Sequence, residues 1–186
     1  MRPITHYLSI CLVVLGLSAC DQKKDVQSSQ HDNHSASQNE RQNISLLDGK
    51  LTFSLPTGMS DQTGKLGTES NNMHVYADST GQEAVIVIIG DGTTLTLPQL
   101  SQKLQQQQRD RDPQLQVVTD KAITLGSTSA QQLDSVVSTN NHSNWSTVVL
   151  TKLSNQLITI QISLPADNQS QSQATASEIV KTIVIH

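Results

Sequence analysis

The clearest hydrophobic periodicities lie between residues 51 and 90. Leu51-Thr-Phe53-Ser-Leu55 alternates apolar and polar side chains and stops at Pro56, as a half-buried strand does, and Met73-His-Val75-Tyr-Ala77 alternates in the same way. Residues 84–89 are continuously apolar and mostly β-branched, which predicts a central strand covered on both faces and ending at Gly90-Asp-Gly92. The period then changes. Thr96-x-x-Gln99 has the spacing of a capping box, Pro98 falls in a first turn where its missing N–H is harmless, and Leu97, Leu100 and Leu104 share one helix face. That helix should end near Asp112, because Pro113 disfavours helical geometry in the residue before it. Further strands are predicted over residues 115–125, 130–138, 145–153 and 156–164, with the last two joined at Ser154-Asn155 as a hairpin and Pro165 closing the run. A second helix fits residues 168–182, where Ala176, Ile179, Val180 and Ile183 recur on one face, although Ile183-Val-Ile185 could finish as a short strand. This order of elements argues for an α+β layered domain with a mostly antiparallel sheet. No internal repeat is present.

The first six residues carry one basic side chain, Arg2, and residues 7–17 form an apolar run. About eleven residues are too few for a bilayer-spanning helix, which needs about twenty, so the segment reads as a removable signal peptide. Leu17-Ser18-Ala19-Cys20 resembles the lipobox of bacterial lipoproteins: a branched apolar residue, two small residues that fit a peptidase cleft, then cysteine. The resemblance implies removal of residues 1–19, transfer of a diacylglyceryl group to the Cys20 thiol, and acylation of the amine that cleavage frees. An ordinary secretory signal with a chance cysteine is the alternative. Cys11 leaves with the leader, so the mature chain keeps one cysteine and can form no intramolecular disulfide. Two or three acyl chains, at about 0.8 kcal/mol per buried CH₂, suffice for stable anchoring. Asp21 follows the cysteine, and in enteric-type bacteria aspartate there generally retains a lipoprotein at the inner membrane. The expected address is the periplasmic face of a Gram-negative inner membrane; otherwise Asp21 is merely the first residue of a linker.

In residues 21–43 only Val26 and Ala36 are apolar, so nothing there repays the entropy of ordering. With Cys20 this stretch is expected to be a tether, holding the domain on the order of 25 Å from the membrane and up to about 80 Å when stretched. Within it, His31-x-x-His34 with Asp32 invites a metal-site reading, but the pair lacks the third ligand and the supporting shell that fix a metal. Residues 44–186 are enough for one domain with a real core and too few for two.

Removing residues 1–19 takes away Arg2 alone among the charged side chains, so the formal charge moves from −4 to −5. That sign repels phosphate backbones, and Phe53, Tyr76 and Trp145 are the only aromatics left to stack on bases, which together disfavour nucleic-acid binding. The chemical motifs are equally thin. Gly58-x₅-Gly64-Lys65-Leu66 has one residue too many for a phosphate-binding P-loop and a leucine where a hydroxyl should reach magnesium. No Gly-x-Ser-x-Gly elbow exists, and His74, His142 and His186 are scattered singly, as solvated side chains are. Arg109-Asp-Arg111-Asp112 is the densest charge cluster. It is a candidate recognition patch, although two arginines in a last helical turn also suit the helix dipole. Tyr76 and Trp145 are candidate interface anchors if exposed and core residues if not. The Asn-x-Ser triplets at Asn43, Asn141, Asn144 and Asn168 carry no weight in a bacterial protein.

Several stretches look familiar together. The lipobox, Leu46-Leu-Asp-Gly-Lys-Leu-Thr-Phe-Ser-Leu-Pro56, Met73-His-Val75, residues 81–90, Gln108-Arg-Asp-Arg-Asp-Pro-Gln-Leu-Gln-Val-Val-Thr119 and Ile160-x-Ile-x-Leu-Pro-Ala166 closely resemble the DcrB family of periplasmic lipoproteins, over nearly the whole chain except the tether. The resemblance implies a PsbP-like fold, an antiparallel sheet sandwiched by helices, and a connection with bacteriophage adsorption or entry. That fold is used largely by small binding and assembly proteins, and fold alone assigns no activity. The expectation is therefore a non-enzymatic, membrane-tethered interaction module with no cofactor and no metal, whose partners are the membrane, through Cys20, and an envelope protein. The alternative is a carrier of a small apolar or lipid ligand. A hydrolase is the weakest of the three.

Overall fold

In the computed structural model, which describes residues 41–65, 72–139 and 142–186, the chain forms ten strands and two helices. In order they are β1 (Gln42–Leu46), β2 (Leu51–Leu55), β3 (Ser60–Asp61), β4 (Met73–Ala77), β5 (Ala84–Asp91), α1 (Leu97–Arg111), β6 (Gln116–Leu125), β7 (Thr128–Thr139), β8 (His142–Leu153), β9 (Gln156–Pro165), α2 (Gln169–Thr182) and β10 (Val184–Ile185).

The strands build two sheets. The larger has seven strands in the order β3-β4-β5-β9-β8-β7-β6, and the smaller has the order β1-β2-β10. Every ladder within them is antiparallel. After β5 the chain crosses one face of the large sheet as α1 and re-enters at the far edge as β6. It then meanders back through β7 and β8 until β9 lies against β5. Tight turns make the meander: Gly126 has φ +63° between β6 and β7, where a side chain would be strained.

Register decides what each face presents. On one face, Val85, Val87 and Ile89 of β5 stand beside Ile162, Ile160 and Ile158 of β9, and Trp145 and Val149 of β8 continue the layer. Leu51, Phe53 and Leu55 of β2 and Ala176 and Ile179 of α2 close over it as the main core. Each fully buried Val, Leu, Ile or Phe among them contributes about 1.5–3 kcal/mol. The opposite face holds a smaller cluster, Leu133, Val148 and Leu150, against which Leu97, Leu100, Leu104 and Val117 pack. The domain is α+β and layered, with α2 and the small sheet on one side and α1 on the other.

The sequence boundaries of α1 coincide with its caps. Thr96 accepts from the Gln99 N–H while the Gln99 side chain accepts from the Thr96 N–H, and Asp112 ends the helix. Asn168 caps α2, and the extended Ile183 leads into β10, so the short-strand ending is the one adopted. Two expectations change. β5 is not covered on both faces: Val85, Val87 and Ile89 are buried while Ala84, Ile86 and Ile88 are half-buried, because α1 lies over β6, β7 and β8 and leaves this side of β5 open. The sheet also begins at Gln42, inside the stretch assigned to the tether. There, Asn43 accepts a hydrogen bond from Ser54 at 2.7 Å and Arg41 pairs with Glu178 at 3.4 Å, so polar residues are ordered by the strand β2 beside them.

Candidate functional site

The lipobox residues Leu17, Ser18, Ala19 and Cys20, the sorting residue Asp21 and the His31/Asp32/His34 group lie outside the described residues. The remaining candidates are placed in the structure, and it does not bring them together.

Trp145 is 2 % exposed and Tyr76 is 3 % exposed, so neither ring is available as an interface anchor and that role is withdrawn for both. Strand alternation carries each onto the face covered by α2 and the small sheet. Tyr76 meets Phe53 edge-on, with ring centroids 5.9 Å apart and planes at 78°. Burial, and then the Asp61 carboxylate, push its phenol up to about 12. Asp61 itself is held below the usual carboxylate range, chiefly by hydrogen bonds from the Thr63 hydroxyl and N–H.

Trp145 has a buried polar neighbourhood. Its indole Nε1 donates to Thr147 Oγ1 at 2.9 Å, the Thr147 hydroxyl donates to Asp134 Oδ1 at 2.7 Å, and the Gln132 amide donates to both Asp134 oxygens at 3.1 and 2.9 Å. Asp134 and Thr147 are cross-strand partners on β7 and β8, and Gln132 stands two residues along, so all point to one side. A carboxylate 3 % exposed is here satisfied by neutral donors. The chain joins buried residues of β7 and β8 to each other, so it is a structural network.

Arg109 and Arg111 stand exposed in the last turn of α1. Beneath them Asp112 is buried and accepts from the Gln114 N–H at 2.9 Å and from the Ser138 N–H at 2.7 Å, which ties the helix end to β7. The charge run thus divides into three exposed residues, Arg109, Asp110 and Arg111, and one anchoring carboxylate, Asp112. Farther up, Asp120 on β6 accepts from Ser101 at 3.0 Å, Gln105 at 2.6 Å and Gln131 at 2.6 Å, a second polar tie beneath α1. Lys152 donates to the carbonyls of Thr93 and Leu95 at 2.9 and 2.7 Å, fixing the segment that leads into the helix.

Pattern reading missed a hollow of about 500 Å³ at the start of α1, lined by Leu97, Pro98, Ala122, Ile123, Thr124, Ser129, Ala130 and Gln131. Pro98 had a local explanation as a helix-starting residue, and nothing in the period of β6 or β7 shows that Ala122 and Ala130 leave space beside it. His74 is half-buried on β4, whereas His142 and His186 are exposed. Among the described residues no group of three histidine, cysteine or carboxylate side chains could hold a metal ion. No described helix is long and apolar enough to cross a membrane. Among the described residues the arrangement offers surfaces and a hollow.

Comparison with known proteins adds the rest. A family model described as DcrB matches residues 50–182. The inner membrane lipoprotein DcrB of Shigella flexneri is 51 % identical over 185 residues, covering 100 % of both chains. Among solved structures, the cyanobacterial PsbP protein CyanoP of Synechocystis superposes with a TM-score of 0.63 at 16 % identity, covering 85 % of this chain and 98 % of its own. The Ran-binding protein Mog1p of Saccharomyces cerevisiae superposes with a TM-score of 0.56 at 15 % identity, covering 78 % and 95 %. At these identities the structural likeness speaks for the fold alone, which is PsbP-like.

Proposed function

The chain belongs to the DcrB family, and on that premise we propose that it is a lipoprotein held by Cys20 at the periplasmic face of the inner membrane, where its domain binds envelope proteins without transforming them. The observation that carries this reading is the match to an inner membrane lipoprotein along the whole of both chains, leader and tether included. The lipobox Leu17-Ser18-Ala19-Cys20 supplies the chemistry of attachment and Asp21 the retention signal. The scattered histidines and the structural use of Asp112, Asp120 and Asp134 support a non-enzymatic role. A link to phage adsorption or entry fits a protein that acts by being touched.

Fractionation tests the anchor. Wild-type protein should sediment with inner membrane and carry acyl groups by mass spectrometry; Cys20→Ala should be released or remain unprocessed, and Asp21→Ser should move to the outer membrane. An unlipidated wild-type chain with its leader intact would end the reading.

The hollow supports a second reading, a carrier of a small apolar ligand, because its volume of about 500 Å³ lies in the range of small-molecule sites and Leu97, Pro98, Ala122, Ile123 and Ala130 give it an apolar lining. Native mass spectrometry of protein extracted from membranes would show a co-purifying ligand, lost in Ala122→Trp. Protein that carries nothing beyond its own acyl groups would remove the carrier.

A further inference from the structure

The two helices are held by unequal means. α2 sets Ala176 and Ile179 into the main core, where both are buried, and its Thr182 bonds the Ser54 backbone. In α1 the one buried residue is Ser101. Leu97, Leu100 and Leu104 are half-buried and pack on the small cluster of Leu133, Val148 and Leu150, which the sheet separates from the main core. The hollow of about 500 Å³ opens beside the first turn of α1, at Leu97 and Pro98, so that turn forgoes contacts that a filled interface would give. The second half of the helix lies over polar ground. Ser101 donates to Asp120, the cross-strand partner of Leu133, and Asp112 accepts from the Ser138 N–H, so α1 runs along β7 from Leu133 towards Ser138. One turn beyond Leu104, Gln108 therefore lies at the level of Ser135 and Ser146, cross-strand partners that share the face of Leu133 and Val148. Gln108 Oε1, Ser135 Oγ and Ser146 Oγ are all buried with no hydrogen-bond partner among the described residues. Each of these atoms has given up water without compensation, a cost to the docked helix that water removes once it lifts.

We propose that α1 is a detachable cover: it lifts from the sheet as a unit while both sheets, α2 and the main core stay folded, and so uncovers Leu133, Val148 and Leu150. The topology permits this. Every strand ladder closes without α1, and the chain is held to the sheet on either side of the helix, by Lys152 on the Thr93 and Leu95 carbonyls before it and by the ladder of β6 after it. The bonds that break are those of Ser101 and Gln105 to Asp120 and of Ser138 to Asp112, and water replaces them at small net loss. A helix of 15 residues taken off its sheet is too short to keep its own hydrogen bonds in water, so the lifted segment also unwinds. Elements with few buried apolar contacts are the ones that open below the global unfolding free energy, and α1 fits that description where α2 does not. The chain thus has two states that differ in what this side displays. Closed, it shows the polar outer face of a helix; open, it shows three apolar side chains of β7 and β8.

Val148 and Val149 are neighbours on β8 and both are buried, one beneath α1 and the other in the main core. In the full chain purified in detergent, each is changed to cysteine in turn, and labelling of the introduced thiol by a soluble maleimide is followed by peptide mass spectrometry. Val148→Cys should be labelled at least about 100-fold faster than Val149→Cys, because the first needs only the lifting of α1 and the second the unfolding of the domain. Leu104→Ala weakens the closed state relative to the lifted one and should speed Val148→Cys labelling about tenfold. Ser135→Ala removes an uncompensated hydroxyl and should slow it about fivefold. Ile179→Val weakens the main core, which is intact in both the closed and the lifted state, so it should speed Val149→Cys labelling about fivefold and leave Val148→Cys unchanged. Should either cysteine variant fail to fold, hydrogen exchange of the unaltered chain makes the same comparison: the α1 amides of Leu104 and Gln105 should exchange together, at least about 100-fold faster than that of Ile160 in β9. Equal labelling at the two positions, acceleration of both by Ile179→Val, or α1 amides no faster than Ile160 overturns the inference, since α1 and the main core then open as one. Val148→Cys labelling indifferent to Leu104→Ala overturns it too, as do α1 amides whose rates fall steadily from the helix ends inward, the mark of fraying in place of lifting.

Discussion

Trp145 and Thr147 stand two residues apart on one face of β8, with the indole nitrogen 2.9 Å from the threonine hydroxyl. The hydroxyl is used twice, since it also donates to Asp134 at 2.7 Å. Thr147→Val keeps the shape and removes both bonds, leaving a buried indole N–H without an acceptor and a buried carboxylate short of a donor. Urea unfolding should show a loss of about 2–4 kcal/mol, whereas Thr147→Ser should lose much less. A valine variant within about 0.5 kcal/mol of wild type would mean that the network adds nothing to stability.

The end of α1 is pinned by Asp112 rather than by the arginines above it. Asp112→Ala removes the acceptor for the N–H groups of Gln114 and Ser138 and should cost about 2–3 kcal/mol. Arg109→Ala, an exposed change, should stay within about 0.5 kcal/mol. Amide exchange read beside melting should show the Ser138 amide losing protection in the alanine variant; equal effects at the two positions would contradict the division of the charge run.

The Tyr76 phenol gives a signal at high pH. Tyr76 is the one tyrosine from residue 20 onward, so in protein that begins at Cys20 absorbance near 295 nm follows it alone. Its folded value is raised to about 12 from an ordinary 10, so between these the native state holds a proton that the unfolded state has lost. Its contribution is fully present below pH 10 and is lost as pH rises toward 12. Titration of the folded protein should show a midpoint well above 10, with stability falling through the same window. A midpoint at the ordinary value would contradict the buried placement.

Gly92 and Gly90 make a paired test of close approach. A Cβ on Gly92 would stand 2.6 Å from the carbonyl oxygen of Asn155 and 2.7 Å from its side-chain oxygen, whereas one on Gly90 would stand 3.7 Å from its nearest neighbour, the Leu157 carbonyl oxygen. Gly92→Ala should therefore destabilise by about 1–3 kcal/mol, since the β8–β9 turn must shift, and Gly90→Ala by less than about 1 kcal/mol. Melting curves of the two variants decide it.

Helices and long strands were legible because local signals agreed with packing. The capping box at Thr96 and Gln99 and the proline after Asp112 mark the ends of α1, and the alternation in β2 marks its buried face. The turn at Ser154-Asn155 adopts the expected hairpin, with Ser154 at φ +54°. What escaped depends on neighbours distant in the chain. Gln42 and Asn43 read as linker because β2 supplies their order, and β3 is two residues with no period at all. Ile86 and Ile88 read as buried because composition cannot tell that α1 crosses the sheet elsewhere. For the site, alternation placed Tyr76 and Trp145 on strands but could not choose the face, and the structure turns both inward. The hollow comes from strand order and helix placement, which no local pattern in residues 97–131 encodes.

β1 enters the small sheet with Gln42 opposite Leu55, while β10 leaves it with Ile185 opposite Leu51 and the His186 N–H bonded to the Lys50 carbonyl. The outer strands therefore join β2 from its two opposite ends. A pull carried between Gln42 and His186 draws β1 and β10 apart along the strand axis and loads their ladders in shear, with the hydrogen bonds sharing the strain instead of opening one after another. For a domain held at its amino-terminal side while something else tugs on it, that geometry is mechanically strong, and the rupture force measured across these two points should exceed that for a pull on the hairpin of β8 and β9.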